Sequence, residues 1–283
     1  MAYNAIVVGA PRSGTSLSAG IFARQGYFVA DEGTGELRDP DRHNPFGYWE
    51  ADGLITRNVA LFERVGFPHH NTWGFDAMSD VQAEGLGRLG PSDEDVEFLA
   101  QYAARAPFVW KDPRLCFTVG HWWPLFDAAT TRVLLIRRRP ESIAQSWWGY
   151  FPDGKVDLAV ALPRIEQHYR MAERAIEQKG IPALTVDYED YLGDASGVAA
   201  RIGSFFELEL TGQDLNVDSK LDHSTARGRL ARAIERGTER IPRSWTRELK
   251  RLTPRWLVNA AFPERRTAEN APVAEESDHG PNP

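Results

Sequence analysis

The chain has 283 residues, 33 Lys and Arg against 40 Asp and Glu, and a formal net charge of −7, with 26% charged and 42% hydrophobic residues. That is an ordinary globular composition, and no stretch approaches the ~18 consecutive apolar residues of a membrane span. An acidic chain without a recognition motif is not expected to bind nucleic acid. A chain of this length can form one large domain without needing a second.

From the N-terminus, Ala5–Val8 reads as a short buried strand and Thr15 to Gln25 as a helix with Leu17, Ile21 and Phe22 on its apolar side. The chain enters the first strand without a basic segment, apolar core and cleavage site, so a cytoplasmic location is expected. Tyr27–Ala30 reads as a second strand, and 31–48, rich in Asp, Gly, Pro and Asn, as a long loop. Helical periodicity follows over 49–67, then an irregular stretch to about Pro91. Ser92-Asp93-Glu94-Asp95 has the signature of a helix start, and that helix is predicted to run to about Arg105. Phe108–Trp110 and Arg132–Ile136 read as strands. Pro140 suits the first turn of a helix through Trp147. A long amphipathic helix over 157–179, a strand over 183–186 and a helix over 196–206 complete the pattern.

Strands alternating with helices predict an α/β fold of three layers, a central parallel sheet flanked by helices, with ligands at the carboxyl ends of the strands. One domain is expected over residues 1–263. The tail, 264–283, has hardly any large apolar residues and is expected to be disordered. Residues 224–266 hold twelve Lys or Arg against four acids, and the spacing of Arg229, Arg232, Arg236, Arg240, Arg243 and Arg247 reads as a solvated helix face. The single cysteine, Cys116, lies between Leu115 and Phe117 and is expected to be buried packing in a reducing compartment. The seven histidines show no metal-ligand spacing, so no metal site is expected. Trp122, Trp123, Trp147, Trp148 and Tyr150 read as core in preference to an aromatic acceptor pocket.

The residues that carry chemistry begin at the first turn. Gly9-Ala10-Pro11-Arg12-Ser13-Gly14-Thr15-Ser16 joins a strand to a helix N-terminus, which aims backbone N–H groups and the positive end of a helix dipole at one point. The loop of nucleoside triphosphatases, G-x-x-x-x-G-K-[ST], places a lysine where this chain has Thr15, so the residue that grips a γ-phosphate is missing. A nucleotide with a shorter anionic chain fits better. Farther along, Arg138, in the run Arg137-Arg138-Arg139 at a strand end, is eight residues before Ser146, two turns into the next helix, so both can reach a second phosphate.

Pro11-Arg12-Ser13-Gly14-Thr15-Ser16 resembles the 5′-phosphosulfate loop of sulfotransferases that use 3′-phosphoadenosine-5′-phosphosulfate (PAPS), and Arg138 with Ser146 resembles their 3′-phosphate signature. The resemblance continues through Lys111-Asp112-Pro113 and Tyr188-Glu189-Asp190 and covers roughly residues 5–206. Asn44-Pro45-Phe46-Gly47-Tyr48-Trp49-Glu50 and Lys111 through Leu115 are similar to the bacterial-type members. The animal cytosolic branch has a loop lysine and a histidine where this chain has Arg12 and Pro113.

The resemblance implies PAPS as sulfuryl donor, no metal, and a small or medium-sized acceptor presenting a hydroxyl or an amine. It implies binding of the donor by Pro11, Arg12, Ser13, Gly14, Thr15, Ser16, Arg138, Ser146 and Tyr188, the last near adenine. Arg12 and Lys111 would stabilise charge on the leaving and transferring oxygens. The general base would be Glu32, which fits the place of a glutamate base shortly after the first helix, or Glu50 in the segment Gly47-Tyr48-Trp49-Glu50. Asp112 would hold Lys111 or Arg114 in place. His69-His70, Trp73 and Phe75 could line the acceptor pocket, and Arg227 could close over the 3′-phosphate. A P-loop kinase or hydrolase and a non-catalytic nucleotide-binding module are the alternatives. Oligomeric state and acceptor identity are not legible.

Overall fold

Short Val-, Ile- and Leu-rich runs form one parallel sheet in the computed structural model, which describes residues 2–31, 37, 39, 40, 44, 47–67, 77–147 and 157–215. The strands are β1 (Asn4–Val8), β2 (Val109–Lys111), β3 (Thr131–Arg137) and β4 (Ala183–Asp187), in spatial order β2-β1-β3-β4. Val7 lies opposite Lys111 on one side and Leu134 on the other, and Arg137 lies opposite Asp187. Successive side chains of a strand face opposite ways. Ile6, Val8, Val133 and Leu135 therefore enter one apolar core, and Ala5, Val7, Leu134 and Ile136 the other. A strand buried on both faces reads as a continuous apolar run, as Ala5–Val8 and Val133–Ile136 do.

The helices are α1 (Thr15–Arg24), α2 (Asp52–Arg64), α3 (Asp80–Arg88), α4 (Asp93–Ala103), α5 (Leu115–Trp122), α6 (Pro140–Trp147), α7 (Leu158–Lys179), α8 (Tyr188–Gly193) and α9 (Ala195–Phe206). Residues from α2, α3, α4, α5 and α7 fill the first core, and residues from α1, α8 and α9 the second. Each fully buried aliphatic or aromatic side chain contributes about 1.5–3 kcal/mol. A third cluster joins Ala10 of the first loop to Ile143 and Ala144 of α6 and to Ala161, Ile165 and Tyr169 of α7. No helix among the described residues is long and apolar enough to cross a membrane.

Three sequence expectations are corrected. Tyr27–Ala30 is not a strand but supplies a single parallel bridge from Phe28 to Phe108, since Phe28 bonds only to the start of the neighbouring chain, with its N–H on Pro107 and its carbonyl on Val109. The stretch taken as irregular up to Pro91 contains α3, whose start is a capping box: Ser79 Oγ accepts from the Gln82 N–H while the Gln82 side chain accepts from the Ser79 N–H. The glycines at 85, 87 and 90 masked that signal. The helix α5, which follows directly on β2, was not anticipated, because its apolar face is too uniform to show a period.

Elsewhere the expected caps form. Ser92 and Asp95 make a capping box on α4. Burial would raise the Asp95 carboxyl, but the Ser92 N–H and O–H and the His121 ring together hold it below the usual range. Trp122 is fully buried and meets Trp110 edge-on at 5.1 Å, and Trp123 is also buried, so both belong to the core. Cys116 is buried as expected, and burial pushes its thiol up, away from the reactive thiolate. The described residues belong to one compact unit, Met1–Ser219. The basic stretch at 224–266, Arg227 and the tail lie outside the described residues, as do Glu32, His69, His70, Trp73, Phe75, Trp148 and Tyr150.

Candidate active site

In the order β2-β1-β3-β4 the chain leaves β1 for β2 on one side and then crosses to β3 on the other. The carboxyl ends of β1 and β3 therefore flank a crevice where open α/β sheets bind ligands. The loop from β1 to α1 occupies it. Arg12 has φ 68° and Gly14 φ 100°, two left-handed residues that turn the chain sharply from strand to helix. For a non-glycine residue that conformation costs of order 1–3 kcal/mol, and such strain concentrates at ligand-binding sites. A Cβ on Gly9 would lie 2.6 Å from the Ile136 carbonyl and 2.7 Å from Ser13 Oγ, so only glycine permits the loop to lie this close to β3. The first turn of α1 has neither a side-chain cap nor an acidic residue, which leaves its N–H groups for an anion. Ser13 Oγ is buried without a hydrogen-bond partner among the described residues, a further polar group suited to an anionic ligand.

The two motifs, more than a hundred residues apart in sequence, meet here. Arg12 Nε donates to Ser146 Oγ at 3.0 Å, and Arg138 Nη1 donates to the Arg12 carbonyl at 3.0 Å. Ser146 reaches the loop from α6, and Arg138 from the residue after β3. Arg138 and Ser146 are both buried. The Arg138 guanidinium also lies over the Tyr188 ring, 4.3 Å from its centroid. Tyr188, first residue of α8, packs against Gly14 so closely that a Cβ there would overlap the ring.

The three consecutive arginines separate by role. Arg137 leans toward α7, pairing with Glu173 at 2.8 Å, and Arg139 pairs with Glu189 of α8 at 3.2 Å; both are largely exposed. Only Arg138 turns inward.

On the other flank of β1, Lys111 ends β2 with its side chain buried. Its Nζ donates to Ser16 Oγ at 3.1 Å and forms an ion pair with Glu50, which is equally buried. Glu50 comes from the segment before α2, where Gly47 (φ 91°) and Trp49 (φ 56°) are both left-handed and the Trp49 indole packs on Gly20 of α1. A second strained non-glycine residue thus borders the site. The Lys111 and Glu50 charges offset one another, and removing Glu50 would leave the Lys111 ammonium buried without its counter-charge.

Asp112 does not touch this pair. One of its oxygens accepts from the Arg114 N–H at 3.1 Å and from Arg114 Nη1 at 2.9 Å, and the other accepts from Asn58 Nδ2 at 2.8 Å. Asn58 Oδ1 in turn accepts from Thr118 Oγ1 and Trp122 Nε1. This buried network ties α2 to the turn between β2 and α5. Sequence reasoning missed Asn58, which shows no signal on an ordinary amphipathic helix. Among the described residues no group of three or more His, Cys, Asp or Glu is arranged to hold a metal ion.

A parallel sheet with an uncapped helix N-terminus and three cations at one crevice defines an α/β protein of the P-loop type. More narrowly, the chain belongs to the sulfotransferase family, whose family model matches residues 5–212, and its activity is that of a transferase. Among solved structures it is similar to the sulfotransferase domain from the Synechococcus PCC 7002 olefin synthase, with 17% identity, TM-score 0.41, and 80% of this chain and 82% of that one covered. The sulfotransferase domain from the curacin biosynthetic pathway is similar at 12% identity and TM-score 0.39, covering 81% and 82%. No curated protein matches the chain.

Proposed function

We propose that the enzyme transfers the sulfuryl group of PAPS to a hydroxyl, or to an amine, of a small or medium-sized acceptor, with Lys111 and Glu50 at the reacting end. The observation that carries this reading is the pair of hydrogen bonds joining the first loop to Ser146 and Arg138. They gather the cations needed for a nucleotide with phosphate on both sides of its ribose. Arg138 and Ser146 hold the 3′-phosphate, with Tyr188 beside them. The N–H groups of residues 14–16, with the Thr15 and Ser16 hydroxyls, hold the 5′-phosphosulfate, while the Ser13 N–H closes the loop on the Ala10 carbonyl. Arg12, seated between the two groups, serves the 5′ side through its guanidinium. Pro11 and Gly14 shape the loop.

Sulfuryl transfer breaks the sulfur–oxygen bond to the nucleotide phosphate and forms one to the acceptor oxygen, leaving negative charge on the phosphate side. Fixed cations at that point lower the barrier. Lys111 neutralises charge on the transferring group while Ser16 and Glu50 keep its ammonium in place. Glu50 takes the proton lost by the acceptor, which must therefore approach from beyond β2. Of the two candidate bases, Glu50 is preferred because its carboxylate reaches Lys111; Glu32 lies outside the described residues. The single cysteine, buried and unpaired by disulfide, agrees with work in the cytoplasm.

Calorimetry with adenosine 3′,5′-bisphosphate and with ATP–magnesium tests the donor. Tighter binding of the bisphosphate is expected, together with transfer of labelled sulfate from PAPS to at least one member of a hydroxyl and amine acceptor panel. A preference for ATP, or bisphosphate binding with no transfer to any acceptor, would overturn the proposal.

A further inference from the structure

We infer that Tyr169, in the middle of α7, is a positioning residue that gives the nucleotide site its preference for a 3′-phosphate. The inference rests on the donor reading above and adds to it a residue on an element that touches neither motif in sequence.

Arg138 stands one residue past the end of β3, so its backbone N–H and C=O have left the sheet ladder, whose last β3–β4 pair is Arg137 with Asp187. Buried backbone groups of this kind need partners. A single phenol supplies both: the Arg138 N–H donates to Tyr169 Oη at 2.9 Å, and the Tyr169 O–H donates to the Arg138 carbonyl at 3.2 Å. Two bonds from one rigid side chain fix the peptide planes on either side of the Arg138 Cα, and with them the direction in which the guanidinium leaves the strand. That direction carries it inward to the Arg12 carbonyl and the Tyr188 ring, while Arg137 and Arg139 go to Glu173 and Glu189.

The ring of Tyr169 is as well placed as its hydroxyl. It is buried among Ala10 of the phosphate loop, Ile143 and Ala144 of α6, and Ala161 and Ile165 of its own helix. Ala10 precedes Pro11 and Arg12, and α6 presents Ser146. One side chain thus contacts or backs the loop, the helix of Ser146 and the backbone of Arg138. Burial pushes its phenol up, so the hydroxyl stays protonated and able to donate at any working pH. The Arg137 guanidinium over the same ring, 5.3 Å from its centroid, adds to the packing but reaches no backbone group of Arg138.

Tyr169→Phe keeps the ring and removes only the hydroxyl. In the full-length protein, calorimetry is expected to show affinity for adenosine 3′,5′-bisphosphate falling about tenfold, the size of a lost buried hydrogen bond with its orphaned partners. Affinity for adenosine 5′-monophosphate, which lacks the 3′-phosphate, is expected to stay within about twofold. The ratio of the two affinities does not depend on how much of the variant is folded. Arg137→Gln is the control and is expected to leave that ratio unchanged. Equal losses for both nucleotides, no loss for either, or the same shift in the Arg137 variant would overturn the role of Tyr169. A wild-type protein that binds both nucleotides equally would overturn the donor reading itself along with the inference, and the wild-type measurement alone reveals that case.

Discussion

The two flanks of the β1 loop hold their cations differently. At the end of β2, Lys111 is countered by a buried carboxylate, Glu50, so the local charge is balanced within the protein. After β3, the Arg138 guanidinium donates to the Arg12 carbonyl and lies over the Tyr188 ring, and the Tyr169 hydroxyl holds its backbone. A balanced pair suits a place where a proton and a neutral sulfuryl unit change hands. A guanidinium that spans the loop carbonyl and an aromatic ring, on a backbone fixed by a phenol, suits a place where a permanently charged phosphate arrives and stays. The contrast separates turnover from affinity, and substitutions on the two flanks are expected to affect different quantities.

The largest effect is expected at the β2 flank. Lys111→Met should lower kcat by about 10²–10³, as for loss of one oxyanion-type donor. It should also lower Tm, since breaking a buried ion pair by removing one partner costs about 3–5 kcal/mol. Adding Glu50→Gln should restore much of the Tm and none of the turnover, which thermal unfolding and initial rates on one preparation would read together. Recovery of turnover in the double variant would mean that the pair is structural.

Glu50→Gln alone should reduce kcat by about 10² or more, with little change in bisphosphate affinity. If affinity falls and kcat does not, Glu50 belongs to the donor site and Glu32 becomes the base. Arg138→Ala should weaken bisphosphate binding by about 10- to 100-fold, the range for a hydrogen bond to a charged group, and Ser146→Ala by severalfold. Neither should alter binding of adenosine 5′-phosphosulfate, which lacks the 3′-phosphate. Parallel losses on both ligands would remove the distinction between the flanks.

The smallest effect concerns stability against pH. His168 of α7 is buried, its Nδ1–H donates to the Arg164 carbonyl at 2.8 Å, and its Nε2 has no partner among the described residues. Burial lowers its pKa from 6.5 to about 4. Between these values the unfolded chain binds the extra proton and the folded chain does not, so stability is full above pH 6.5 and declines as pH falls toward 4. Tm followed from pH 7.5 to 4 should show that decline, and His168→Phe should flatten it. An unchanged slope would show that other groups set the acid limit.

Much of the fold was legible because each strand and cap is written within a few residues. The continuous apolar runs Ala5–Val8 and Val133–Ile136, Pro140 at the start of α6 and the capping pair Ser92–Asp95 needed no distant partner. Legibility failed at Tyr27–Ala30, where strand-like residues found only a single bridge, and at α5, where uniform apolarity hid the period. In the site, the loop and the arginine run were visible as types of residue in order. In the run Arg137-Arg138-Arg139 the middle member was marked by its spacing of eight from Ser146 and by the family resemblance, while its inward turn was not legible. Nothing marked Tyr169 or Asn58, because an interior hydroxyl or amide looks like any other polar residue on a helix until its partner is known.

Local chemistry therefore decided which segments became strands and helices and that a glycine loop would present an anion site, since backbone preference and apolar periodicity act over short windows. The sheet order, the inward turn of Arg138, the seat of Arg12 on Ser146 and the union of Lys111 with Glu50 were decided only when the chain packed. Those contacts join residues 61 to 134 positions apart, and their geometry follows from strand register and helix rotation, which no short window contains.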